Sequence, residues 1–162
     1  MAHTLVVINI FTKAYDDGIH ANADTALENG KNPTGNVTVS GGTLVLYSND
    51  DGMHADGKLT LSGGTVAITN SYEGVEGMSV LISGGEASII SRDDGINSTA
   101  NNGTTVSIEG GKIYVYCTGD GIDSNGWLVI NGGTVMAQAC ADSADAGIDA
   151  DMGIHINGGT VI

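Results

Sequence analysis

Two interleaved series of glycines constrain this chain more than any other feature. Gly-Gly pairs stand at 41–42, 63–64, 84–85, 110–111, 132–133 and 158–159. Between them fall single glycines, mostly after Asp and before Ile, Met or Val, at Gly18, Gly52, Gly74, Gly95, Gly121 and Gly147. From a Gly-Gly to the next single Gly is 11 residues four times and 15 once. From a single Gly to its own Gly-Gly is 10 or 11 residues in four units, and 15 and 23 in the other two. The basic period is therefore about 22 residues, with insertions at fixed places, and such a period is the mark of a solenoid.

Within each unit apolar residues alternate. Val37/Val39, Leu59/Leu61, Val80/Ile82, Val106/Ile108, Leu128/Ile130 and Ile154/Ile156 precede the Gly-Gly. Leu44/Leu46, Val66/Ile68, Ala87/Ile89, Ile113/Val115 and Val135/Ala137 follow it. A period of two means strands with one buried face. Three short strands per turn, joined at glycine corners, give an all-β fold: a right-handed parallel β-helix of about six rungs forming a single domain over residues 1–162. The paired glycines suit corners that need φ > 0. An α-helical fold is excluded, because no unit carries an apolar stripe at 3.6 spacing and Gly is 26 of 162 residues.

Insertions at Asn22–Asn36, Ser98–Thr104 and Ala141–Ala146 read as loops leaving the shaft. Leu5–Phe11 reads as a strand without a Gly-Gly corner, and the chain stops in mid-strand at Val161-Ile162. Solenoids need polar caps, so these open ends point either to a fragment of a longer protein or to end-to-end self-association.

Charge narrows the partners. Nineteen acids face five bases, a net charge of −14. Nucleic acid is disfavoured, since phosphate binding needs clustered Lys and Arg. No apolar run approaches the ~20 residues of a membrane span, so membrane insertion is not expected. Cations, neutral polymers, or polyanions bridged by cations fit this balance.

The acids are not spread evenly. Windows from two residues before to four residues after each single Gly hold 14 of the 19 acids and no Lys or Arg. Stacked rungs about 4.8 Å apart turn equivalent positions into columns. One column reads Asp17, Asp51, Glu73, Asp94, Asp120; its neighbour reads Asp16, Asp50, Tyr72, Asp93, Gly119, Asp145; a third reads His20, His54, Glu76, Asn97, Asp123, Asp149. Like charges so stacked repel by roughly 1 kcal/mol per neighbour in water. A divalent cation reverses that sign, and calcium, with six to eight oxygen ligands, suits such columns better than magnesium. Candidate Ca2+ ligands are Asp16, Asp17, Asp50, Asp51, Glu73, Asp93, Asp94, Asp120, Asp123 and Asp149. A second reading stands beside this one: Asp before Gly is a common turn pair, and stacked carboxylates can satisfy corner amides without metal. His20 and His54 stack on neighbouring rungs and read as exposed imidazoles, since two histidines make no zinc site.

Exposed rings are candidate sugar platforms: Tyr114 and Tyr116, about 7 Å apart on one strand, Tyr47 in the column of Tyr116, and Trp127 before a strand. The alternative is that such rings only stabilise the sheet face. Arg92, the only Arg, is the one candidate base for lyase chemistry, and beside Asp93-Asp94 it reads better as a salt-bridge partner. Cys117 should point inward, and a Cys117–Cys140 disulfide is geometrically conceivable.

The segments Asp-Asp-Gly-Ile-His-Ala (16–21), Asp-Asp-Gly-Met-His-Ala-Asp-Gly-Lys-Leu-Thr-Leu-Ser-Gly-Gly-Thr-Val (50–66) and Gly-Asp-Gly-Ile-Asp-Ser-Asn-Gly (119–126) resemble the bacterial carbohydrate-binding β-helix family, related in fold to pectate lyases. The resemblance runs from Tyr15 onward. It implies an exported, extracellular or cell-surface protein that binds calcium and an acidic polysaccharide such as polygalacturonate, without catalysis. The alternatives are a structural solenoid that polymerises into an extracellular fibre, and a divergent polysaccharide lyase.

Overall fold

The structure is a computed structural model that describes residues 9–23, 34–142 and 144–162. Among these residues there are thirteen strands and no helix. The strands are β1 (Asn9–Lys13), β2 (Ile19–Ala21), β3 (Val37–Tyr47), β4 (Met53–Asn70), β5 (Val75–Ile90), β6 (Ile96–Ser98), β7 (Thr104–Ile108), β8 (Lys112–Tyr116), β9 (Ile122–Ser124), β10 (Trp127–Ile130), β11 (Thr134–Gln138), β12 (Gly153–Ile156) and β13 (Thr160–Val161). Every pairing is parallel and joins one rung to the next, as in β2 on β4, β4 on β5, β5 on β6 and β6 on β9. The chain is a β-solenoid of about six turns at the repeat expected from the glycines.

The rungs differ in one respect from three short strands each. From Ile96 onward the three strands are discrete, whereas β3, β4 and β5 run through their Gly-Gly corners without a break. Ladder pairing there persists across the corner, with register shifts at Ser40/Thr43 and Ser62/Thr65. Of the expected N-terminal strand, Leu5–Ile8 lies outside the described residues, and so does most of the first insertion.

The alternating positions become internal columns. Val37, Leu59, Val80, Val106 and Leu128 stack in register, and so do Met53, Val75, Ile96 and Ile122. All are buried, with Ile96, Val106, Ile122 and Leu128 at 0 % exposure. Ile122→Ala should cost about 2–5 kcal/mol, because flanking rungs cannot collapse into the hole; urea unfolding checks this. Where polar residues enter the core they satisfy one another. Ser98 donates to Thr105 at 2.8 Å, and Thr105 and Ser124 share a 2.8 Å bond. Cys117 takes the corner position of Ser48, Ser71 and Ser91, buried, with Sγ donating to the Gly119 and Gln138 carbonyls. It is not joined to Cys140, and burial pushes its thiol pKa up to about 11.

Two glycine roles hold the shape. The second residue of each pair has positive φ, from 81° at Gly42 to 93° at Gly111, a conformation glycine adopts without Cβ strain. The single glycines serve packing instead: a Cβ on Gly74 would stand 2.2 Å from the Gly95 carbonyl oxygen and 2.3 Å from Ile89 Cγ2.

Candidate functional site

The corner at each single Gly is held by a backbone ladder. The Gly18, Gly52, Gly74 and Gly95 amides donate to the carbonyls of Asp51, Glu73, Asp94 and Asp120 on the next rung, at 2.8–2.9 Å. This keeps the acids before those glycines in one column, as expected. The neighbouring column also forms: the Tyr72 amide donates to Asp50, Asp93 to Tyr72, and Gly119 to Asp93. In the third, His20 pairs with His54, His54 with Glu76, Glu76 with Asn97, and Asn97 with Asp123.

Both readings of the acids have a structural counterpart. The Asp51 amide donates to Asp17 Oδ1 at 3.0 Å, the Glu73 amide to Asp51 Oδ1 at 3.2 Å, and the Asp120 amide to Asp94 Oδ1 at 2.7 Å. One oxygen of each Asp thus caps the amide of the rung above, as a metal-free turn ladder requires. The second oxygen of each carboxylate remains for other partners.

Glu73 breaks the ladder. Its longer side chain reaches Asn97, whose Nδ2 donates to both carboxylate oxygens at 3.0 and 2.9 Å. Glu73 is only 9 % exposed. Burial, together with a hydrogen bond to Glu76, pushes its pKa up to about 9. Burial also raises Asp51, against the lowering pull of His54. Asp51, Glu73 and Glu76 bring oxygens within 4.8 Å of one another, and the Asn97 Nδ2 faces the two glutamates as a donor. The three carboxylates form an all-oxygen donor set, which fits a hard dication.

A second group, Asp120, Asp123 and Asp149, brings oxygens equally close, as does Asp16, Asp17 and Asp50 on the exposed side. Burial, then neighbouring acids, raises Asp120 and Asp123. Asp94 is pushed up to about 6, first by burial and then by Asp93, Asp123 and Asp120, yet Asp93 and Asp94 enter no three-residue group of this kind among the described residues.

The rings divide. Tyr47 and Tyr116 are exposed at the ends of β3 and β8, just before acidic corners. Tyr114 is half-buried beside Ser88 and Met136. Trp127 is half-buried and stacks on His155, with centroids 4.9 Å apart, so that one of its faces is already covered. The expected Tyr47–Tyr116 column is interrupted. A register shift between Leu46 and Tyr47 sets Tyr47 beside Asn70, while Tyr116 lies beside Ile90.

Sequence reasoning passed over Tyr72, which is 45 % exposed within the acidic column. Its hydroxyl bonds Asp93, which raises the phenol pKa, and the Arg92 guanidinium lies 6.0 Å from its ring centroid. Arg92 itself donates to the Ser71 and Asn49 carbonyls. It therefore caps backbone at the corner, a different role from the acid pairing expected of it. The signal for Tyr72 was its place between Asp50 and Asp93.

The histidines also depart from expectation. His20 Nδ1 lies 2.9 Å from Asp17 Oδ2, and His54 Nδ1 lies 2.9 Å from Asp51 Oδ2. Their rings are 4.7 Å apart, and both face Asp56. They are members of a cluster rather than simple exposed imidazoles.

Acidic corners, with exposed tyrosines at their borders, thus run along a parallel solenoid. A profile of the family described as "Carbohydrate-binding domain-containing protein" matches residues 6–74 and 57–162, and the chain belongs to that family. Its role is accordingly that of a carbohydrate-binding domain. No curated protein and no solved structure matches it.

Proposed function

We propose that this is a non-catalytic, exported module for acidic, pectin-like polysaccharide, with calcium held along the acidic edge. The observation that carries this reading is the group Asp51, Glu73 and Glu76. Three carboxylates this close, one of them raised to about 9 by burial, are relieved together by one hard dication. Asp120, Asp123 and Asp149 offer a second position of the same kind. A calcium held partly by the protein keeps coordination sites for sugar carboxylates, which joins a polyanion to a chain of net charge −14. Tyr47, Tyr72 and Tyr116 flank this edge as stacking surfaces.

Affinity electrophoresis tests the reading. Migration should slow in gels carrying polygalacturonate with calcium, and return to normal with chelator; equal migration in both would refute it. Tyr72→Ala and Tyr116→Ala should each weaken retardation about fivefold or more, the scale of a ring anchor worth about 1 kcal/mol. Retardation unchanged in both variants would remove the rings from the site.

Self-association is the second reading. A concentration-dependent mass in light scattering would favour it.

A further inference from the structure

The cluster around His54 has a chemistry unlike the rest of the edge. His20 Nε2 and His54 Nε2 each lie 3.4 Å from the same atom, Asp56 Oδ1. The other oxygen of Asp56 is fixed, accepting the Ala23 amide at 2.7 Å. Each imidazole is oriented from behind by its own carboxylate, Asp17 on His20 and Asp51 on His54, at 2.9 Å. Glu76 Oε1, 3.4 Å from His54 Nδ1, adds to the negative field on that side.

The tautomers follow from those contacts. A carboxylate accepts, so each Nδ1 carries the proton and donates it. Nε2 of each ring faces Asp56 Oδ1, so with both of these nitrogens deprotonated two lone pairs and one carboxylate oxygen converge on one point, where a cation satisfies all three. At 3.4 Å the two Nε2–Oδ1 contacts are longer than ordinary hydrogen bonds, at 2.7–3.2 Å. They match instead the edge of a tetrahedron about a metal with bonds of about 2.0–2.1 Å, which is about 3.3–3.4 Å. Carboxylate behind imidazole is also the usual outer shell of a bound metal.

We propose that His20, His54 and Asp56 bind a borderline divalent transition metal of the zinc class, with Asp17 and Asp51 as positioning residues. Imidazole nitrogens select such an ion over calcium, which takes oxygen. His20 belongs to the first rung, and His54 and Asp56 to the second. The metal therefore rivets the two rungs where the first insertion leaves the shaft. Three protein ligands leave one position for water or a ligand oxygen. The proposal shares Asp51 with the calcium group, as the carboxylate behind His54, and its test is run with calcium saturating so that a failure of zinc binding is distinct from a failure of the calcium reading.

The test is calorimetric titration of the full chain with zinc chloride in excess calcium, with cobalt(II) absorption in parallel. We expect one zinc per chain and the intense visible bands of tetrahedral cobalt. His20→Gln and Asp56→Asn should each remove the binding. Asp17→Asn should weaken it about 10–100-fold, the usual effect of an outer-shell partner. His155→Gln, whose ring stacks on Trp127 instead, should leave it intact. Circular dichroism of each variant shows that the solenoid is folded. Absence of zinc binding in the folded wild-type chain, or zinc binding of equal affinity in His20→Gln and Asp56→Asn, would overturn the proposal.

Discussion

Stripping calcium with chelator should lower the unfolding temperature of this protein, and the loss should be larger at pH 8 than at pH 5. The size follows from mass action: a ligand at a hundred times its dissociation constant stabilises by about 2.7 kcal/mol. At about 2–4 °C per kcal/mol for a chain of this length, that is a shift of about 5–10 °C. The pH dependence follows from the buried acids. Glu73 titrates near 9 and Asp94 near 6 in the fold, above their unfolded values of about 4. Between the unfolded and folded pKa the native state holds a proton that the unfolded state has released. Stability without metal therefore falls as pH rises, through 4 to 6 for Asp94 and on toward 9 for Glu73, opposite to the usual carboxylate. Calcium bound as proposed would supply the missing positive charge beside Glu73 and flatten that part of the slope. Glu73→Gln keeps the side chain's size and removes the charge. It should stabilise the chelated protein at pH 8 and reduce the calcium response. Calorimetric scans at the two pH values, with and without chelator, check all of this; a metal-free protein more stable at pH 8 than at pH 5 would contradict it.

Gly74→Ala should be among the most damaging single-methyl additions in the shaft. The new carbon meets the Gly95 carbonyl at 2.2 Å and Ile89 at 2.3 Å. The first contact is backbone on the next rung and the second is packed core, so neither can yield without opening the corner. The cost should reach about 3 kcal/mol, the upper end for overpacking. That corresponds to about 6–12 °C in unfolding temperature. Gly41→Ala, at a Gly-Gly corner two rungs away, is the control. Its Cβ would meet nothing within 4 Å, and its φ lies outside the positive region. It should change stability by no more than about 0.5 kcal/mol. Urea unfolding of the two variants separates them; equal losses would mean that the stacked carbonyl and Ile89 do not select glycine before the Ile/Val strand.

The period, the strand positions and the acidic columns were legible because a solenoid converts spacing along the chain directly into adjacency across rungs. Asp51 above Asp17 and His54 above His20 are such cases. Three features were not. The shift at Leu46/Tyr47 that breaks the tyrosine column is a local bulge with no trace in the 11-residue spacing. Glu73 differs from Asp by one methylene, and only the placement of Asn97 shows that this length turns its carboxylate out of the ladder and into a buried cluster. Asp56 reaches back to His20 and Ala23, 36 and 33 residues earlier, across an insertion whose path the repeat does not dictate. Columns of equivalent positions find residues directly above one another, and they miss diagonal contacts made by side chains.

The most direct test of the central claim is calorimetric titration of polygalacturonate into the protein, once in calcium and once in chelator, with a neutral glucan as reference. A dication-bridged acidic edge predicts heat of binding with polygalacturonate in calcium, none in chelator, and none with the neutral polymer. Binding of equal strength with and without calcium, or preference for the neutral glucan, would contradict it.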